Sequence, residues 1–222
     1  MTVRVVLLAE GAGETGGDLT PPLAPGEVLA EGHRGPAHAL VAQALARSWS
    51  IPVGAVLFEA PLRTVRGTVA RGGELLDRGT LRRILSWARP TQRPDLVVVL
   101  IDADGELNRK ARLNEFARDL PGARVIAVAV EEFEAWLLAD EAALRAALDR
   151  EIPAAPSPEE LPPGAAKKKL NALCDGGNAS SDRKPRRRQV RQTLCEQASL
   201  DALARACPSF KAFLEDLRAV PR

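Results

Sequence analysis

Leu96-Val97-Val98-Val99-Leu100-Ile101-Asp102-Ala103-Asp104 decides the architecture. An unbroken run of apolar, mostly β-branched residues reads as a strand buried on both faces, and such strands belong to parallel sheets covered by helices. The run ends on acids. In an open parallel sheet, ligands bind just outside the carboxyl ends of the strands. Three other runs share this texture: Val3–Leu8, Val53–Phe58 and Arg124–Val130. Helical patterns fall between and after them, at Pro36 to Arg47, Leu75 to Trp87, Asn108 to Leu120 and Glu132 to Leu148. Strand and helix in alternation predict an α/β domain, a parallel sheet flanked by helices.

That domain is expected to span residues 1–150. Beyond Arg150 the texture changes. Ile152 to Gly164 is a proline-rich connector that cannot be helix interior. A basic segment follows, with Lys167, Lys168 and Lys169, a Gly/Asn/Ser turn at Gly176 to Ser181, and Arg183 to Arg191 with Arg186, Arg187 and Arg188 at its centre. Leu200 to Val220 reads as one or two short helices around Pro208. Residues 151–222 are therefore expected to form a C-terminal helical appendage packed on the first domain.

With 222 residues, 45% apolar and 27% charged, the chain can bury a substantial core. A net charge of +2 is too small to mark a nucleic-acid binder by itself. Three cysteines, an odd number, argue against a disulfide framework and for a reducing cytoplasm. Cys174, Cys195 and Cys207 lie far along the chain from His33 and His38, so buried thiols are a better reading than a zinc site. The apolar opening run is too short for a signal peptide, and no run is long enough to span a bilayer.

Acids follow three of the strands. Glu10 comes after the first, Asp102 and Asp104 after the third, and Glu131, Glu132 and Glu134 after the fourth. A single acid in such a place is usually a helix cap or a solvated loop residue. Several together are another matter, because two carboxylates about 4 Å apart repel by roughly 4 kcal/mol at an effective dielectric near 20. Such a group must protonate, spread apart or hold a cation, and oxygen ligands favour magnesium or manganese. Asp102-Ala103-Asp104-Gly105 is not a calcium loop, since its glycine comes two places early and Leu113 stands where the closing glutamate belongs. Gly11-Ala12-Gly13-Glu14-Thr15-Gly16 spells a dinucleotide fingerprint, but the prolines that follow are expected to stop a helix from opening there.

Taken together, Glu10-Gly11 after the first strand and Asp102-Ala103-Asp104 after the third resemble the Toprim domain of primases, topoisomerases and nucleases of the overcoming-lysogenization-defect type. Glu14, four residues after Glu10, is similar to the nuclease branch. Glu132-Phe133-Glu134-Ala135-Trp136-Leu137-Leu138-Ala139-Asp140 and Cys207-Pro208-Ser209-Phe210-Lys211-Ala212-Phe213-Leu214 resemble the bacterial family of unknown function numbered 4276. In that stretch Trp136 and Leu137 are expected to be core residues.

The resemblance implies a Toprim-like fold and a magnesium- or manganese-dependent nuclease. Asp102 and Asp104 would ligate a metal, and Glu10 would be a ligand or the proton-transfer group. Glu14 and Glu134 would help hold a second ion. Arg109 and Lys110 would offset transition-state charge, with His33, Arg34 and Arg66 as further candidates. Lys167, Lys168, Lys169, Arg186, Arg187 and Arg188 would contact nucleic-acid phosphates. An ATPase is the expected protein partner, docked on the C-terminal helices around Phe210, Phe213 and Leu217. A non-catalytic metal-binding subunit of an ATPase complex and an aspartate-dependent phosphatase are the alternatives. The chain has no tyrosine, which excludes a tyrosine-dependent topoisomerase.

Overall fold

The computed structural model describes residues 2–17, 22–64, 67–91, 93–152, 157–176 and 183–221. Arg66, most of the Gly/Asn/Ser turn and part of the proline-rich connector lie outside the described residues. Four parallel strands form one sheet: β1 (Val3–Ala9), β2 (Val56–Phe58), β3 (Leu96–Asp102) and β4 (Arg124–Ala129), in the order β2-β1-β3-β4. The chain leaves β1 toward one edge to make β2, then returns past it to make β3 and β4. The order reverses between β1 and β3, and this switch point is where α/β sheets open a crevice.

Every strand was foreseen, with one correction in extent. Val53–Ala55 is a 3-10 turn after Pro52 and β2 keeps only three residues. The helices are α1 (Ala12–Thr15), α2 (Pro36–Trp49), α3 (Gly73–Leu76), α4 (Arg78–Thr91), α5 (Arg109–Ala117), α6 (Phe133–Leu138), α7 (Glu141–Leu148), α8 (Ala165–Asp175), α9 (Arg183–Gln197), α10 (Leu200–Ala206) and α11 (Pro208–Ala219). Two expected helices are each broken in two. Asp77 separates α3 from α4 and accepts a hydrogen bond from the Thr80 amide. Asp140 ends α6 and caps α7, its Oδ1 accepting from the Ala143 amide at 3.0 Å. In both cases a side chain satisfies first-turn amides better than a continuous helix would. Contrary to expectation, a helical turn does open within the Gly11–Gly16 stretch, but left-handed Gly16 ends it after four residues.

The sheet separates two cores. Val6, Leu8, Val97, Val99, Ile126 and Val128 face α4 and α5. On the other face Val5, Leu7, Val98, Leu100 and Ala127 meet α2 and the later helices. Phe210, Phe213 and Leu217 of α11 are at most 1% exposed, packed with Trp136, whose indole N–H donates to the Ser209 hydroxyl at 2.8 Å. This corrects the expected ATPase docking surface: these side chains are interior, because they form the apolar stripe that seals one face of the sheet. Trp136 and Leu137 are core residues, as expected. Among the described residues no helix is long and apolar enough to cross a membrane.

Both sheet edges are partly covered. At β4, α5 and α11 lie on opposite faces, and Lys110 of α5 reaches Asp216 of α11 at 2.6 Å across the edge. At β2, Glu59 bridges to Val28, shielding the short strand from edge pairing. The Glu59 side chain is wholly buried, pairs with the Nε of Arg4 and leaves Oε2 without a partner. Arg4 also donates to the Gly26 carbonyl, tying the segment after β1 to the sheet. Removing the half-exposed Arg4 would leave the buried Glu59 carboxylate without its partner. Arg4→Met should therefore cost about 1–3 kcal/mol in urea unfolding. Arg4→Met with Glu59→Leu should recover most of that loss.

Candidate active site

Glu10 follows β1 directly, and its backbone amide still pairs with the Leu100 carbonyl, as though the strand continued. Its side chain turns across the switch point, where Oε2 accepts from the Asp102 amide at 2.9 Å. Asp102 ends β3, and its Oδ1 accepts from the Phe133 amide at 2.8 Å. The tips of β1, β3 and the segment after β4 are thus linked through two carboxylates.

Glu14 reaches this group despite the long segment between Gly16 and Gly35. A Cβ on Gly35 would lie 2.3 Å from the Gly16 nitrogen and 2.4 Å from the Glu14 carbonyl oxygen. Only a glycine lets the start of α2 press against α1. Gly11 has a related purpose: the Glu14 carboxylate folds back over it, 2.5 Å from where a Cβ would stand.

Glu10, Glu14, Asp102 and Glu134 act on one another. Burial, followed by the Glu14 carboxylate, pushes Asp102 up to about 8 against the Phe133 hydrogen bond, and Glu10 and Glu134 add to the rise. Burial likewise lifts Glu14 to about 7, with help from Glu134 and Glu10, although the hydrogen bond from Gly11 and the charge of Lys167 oppose it. Asp104 is held apart: its Oδ2 pairs with Arg109 at 2.9 Å. Asp104 and Glu131 have left-handed backbones, with φ of 44° and 58°. These are uncommon for residues other than glycine, and such strain often gathers near functional sites.

The cations divide. Arg109 is only 7% exposed, and its guanidinium is taken up by the Asp102 carbonyl, Asp104 and Glu106. It shapes the loop after β3 and presents little charge to a substrate. Lys110 is drawn to Asp216. Lys167 lies beside the acids, its amide donating to Glu132 Oε2 at 2.9 Å. Lys168, Lys169 and Arg186 do not line the cavity over the cluster. Arg187 lines it while paired with Asp175, and Arg188 lines it while donating to the Gly16 carbonyl. His33 sits on a separate 3-10 turn.

Lys184, Asn171 and Arg191 also line this cavity of about 460 Å³ and were not singled out from sequence. Arg191 bonds both Glu134, at 3.0 Å, and Asn171, at 2.9 Å. A signal existed, since Lys184, Arg187, Arg188 and Arg191 follow the three-and-four spacing of one helix face. In this cavity the carboxylates of Glu14 and Glu134 face guanidinium and ammonium groups of α9.

A parallel sheet with carboxylates at its switch point and basic helices on one face defines an α/β protein of layered type. The chain belongs to the DUF4276 family, a domain of unknown function, whose model matches residues 35–218. Glu10 and Glu14 precede the matched residues. One similar solved structure is the C-terminal region of the Burkholderia pseudomallei OLD protein. It is 15% identical, with 98% of each chain covered and a TM-score of 0.40, a likeness too distant to carry a function across. No curated protein matches the chain.

The raised carboxyls have a thermodynamic consequence. From the ordinary carboxylate values of 3.8 and 4.5 up to about 8 and 7, the folded protein holds more protons than the unfolded chain. These two acids therefore oppose folding increasingly as pH rises through that window. Asp102→Asn keeps an oxygen for the Phe133 amide and removes the charge. In chelator, scanning calorimetry should find the variant more stable than the parent at pH 8, with the gain shrinking toward pH 5. Each kcal/mol relieved is worth about 2–4 °C in a domain of this size. Equal or lower stability at pH 8 would mean that the aspartate is a structural anchor.

Proposed function

We propose that this protein is a magnesium- or manganese-dependent phosphodiesterase of Toprim type that acts on nucleic acid. The observation that carries the reading is the mutual crowding of Glu10, Glu14, Asp102 and Glu134, two of which, Glu14 and Glu134, line a cavity walled by the cationic face of α9. The donor atoms are all carboxylate oxygens, which suits a hard divalent ion. Among the described residues no three acids, histidines or cysteines already converge as a metal cage. Binding would require Glu10 to turn from the Asp102 amide and Glu134 to turn from Arg191. Asp104 would join on release from Arg109.

A bound ion would supply Lewis acidity toward a phosphodiester oxygen and toward the attacking water. The chain's own residues would do the rest. Glu10, at the rim of the group, would take the proton as the water oxygen bonds to phosphorus. The ester P–O bond then breaks, and the leaving oxygen is protonated from solvent. Lys167 and Arg191 would face the non-bridging oxygens, where charge builds. Arg109 would position the loop that carries Asp102 and Asp104. An ATPase remains the protein partner we propose, docked on a surface other than the buried face of α11.

Two measurements bear on this reading. Because Asp102 and Glu14 hold protons near neutrality, manganese binding should displace them. Calorimetry at pH 7 in two buffers of different ionisation enthalpy should therefore report proton release, and Asp102→Asn with Asp104→Asn should abolish the binding. Nicking or degradation of DNA or RNA should need manganese or magnesium and stop with chelator. Glu10→Gln should slow it by about a hundredfold or more. Metal binding without cleavage, alone or with an ATPase and ATP, would leave a non-catalytic subunit. Cleavage that survives loss of Glu10 and both aspartates would refute the assignment.

A further inference from the structure

The cavity over the carboxylates does not end at α9. A second cavity of about 790 Å³ lies beyond it, bounded by the 3-10 turn Glu31–His33 and by Arg34, Gln189 and Gln192. The two share Lys184 and Arg188. The two cavities adjoin at these two side chains, which defines a path, or furrow, from Glu14 and Glu134, past Lys184 and Arg188, toward Arg34. Among the described residues Lys184 and Arg188 make no ion pair, whereas Arg187 and Arg191 are neutralised by Asp175 and Glu134. Uncompensated positive charge is therefore concentrated where the cavities meet. Farther on, Glu31 and Glu196 line the wall and reverse the sign.

We infer that one nucleic-acid strand enters along this furrow, its phosphates held by Lys184 and Arg188 and then by Arg34, and that Glu31 and Glu196 mark where it leaves the surface. The inference rests on the nucleic-acid substrate proposed above and adds the path to it. Lys184 and Arg188 are four residues, about 6 Å of helix rise, apart, a spacing that suits neighbouring phosphates of one extended strand. Gln189 and Gln192 lie along the same wall as neutral hydrogen-bonding groups. Among the described residues no aromatic ring lines this second cavity, so the furrow would hold a backbone and would not stack bases. Lys168 and Lys169 lie on α8 outside both cavities and are not on the path.

The test is binding of labelled oligothymidylate to the full chain in chelator, where no cleavage can occur, followed by anisotropy across a salt series. Lys184→Gln with Arg188→Gln should weaken binding at least about fivefold and flatten the dependence of log K on log salt by about 1.4, or 0.7 for each single-strand phosphate contact. Lys168→Gln with Lys169→Gln removes the same charge and should change affinity less than about twofold. Arg188 also bonds the Gly16 carbonyl, so Lys184→Gln alone, at an exposed position, should show about half of the salt effect if the double variant misfolds. Equal losses in the furrow and control variants would overturn the path, as would absence of binding by the parent chain. Polyglutamate binding as tightly as the oligonucleotide through Lys184 and Arg188 would make the occupant an acidic peptide and would also overturn it. Normal cleavage with unaffected furrow variants would sink the path alone. Furrow-dependent binding without metal-dependent cleavage would sink the nuclease reading alone.

Discussion

The hydrogen bond from the Phe133 amide to Asp102 couples the strand tips to the helical layer. An aspartate at the end of a buried strand would normally relax into solvent. Here its oxygen is claimed by the first turn of α6, and the segment from Glu132 to Asp140 attaches nearly everything else. Glu132 holds the start of α8, and Glu134 holds Arg191 of α9. Trp136 seats α11, and Asp140 caps α7 while accepting from the Ser199 amide ahead of α10. The site and the C-terminal helices are therefore parts of one construction. Moving Asp102 would disturb the layer that covers the sheet, and loosening that layer would free Asp102.

Electrostatics oppose this construction, and the opposition is informative. Burial and mutual repulsion raise Asp102 and Glu14, so the fold is least comfortable where the carboxylates are charged. Lys167 relieves Glu14 in part, and Arg191 neutralises Glu134. A fold that gathers acids in this way gives up stability at alkaline pH.

Much of this was legible in the chain. The apolar runs at Val3, Leu96 and Arg124 read as buried parallel strands because each is short and nearly unbroken. Glu10 and Asp102 were found because position after a strand implies position at the rim. Other features were hidden for physical reasons. The spacing of Lys184, Arg187, Arg188 and Arg191 marks one face of α9, but where that face points depends on how α9 packs against α2 and α8. Arg109 looked like a free cation beside two aspartates, but its burial against the Asp102 carbonyl depends on how the loop after β3 folds back. Phe210 and Phe213 looked available for a partner until Trp136, far away in sequence, was found packed against them.

The contact between Gly16 and Gly35 has an evolutionary reading. Where two stems of a loop touch backbone to backbone, the intervening chain can lengthen or shorten at small entropic cost, about 0.6 kcal/mol for each doubling. The last residues of this loop, Glu31 to Arg34, wall the outer furrow, while Glu14 before it belongs to the carboxylate cluster. Changes in the length of this loop would therefore move the wall while leaving the stems, and Glu14 beside them, in place. Selectivity and chemistry would diversify at different rates within one chain, with a pair of glycines as the joint between them.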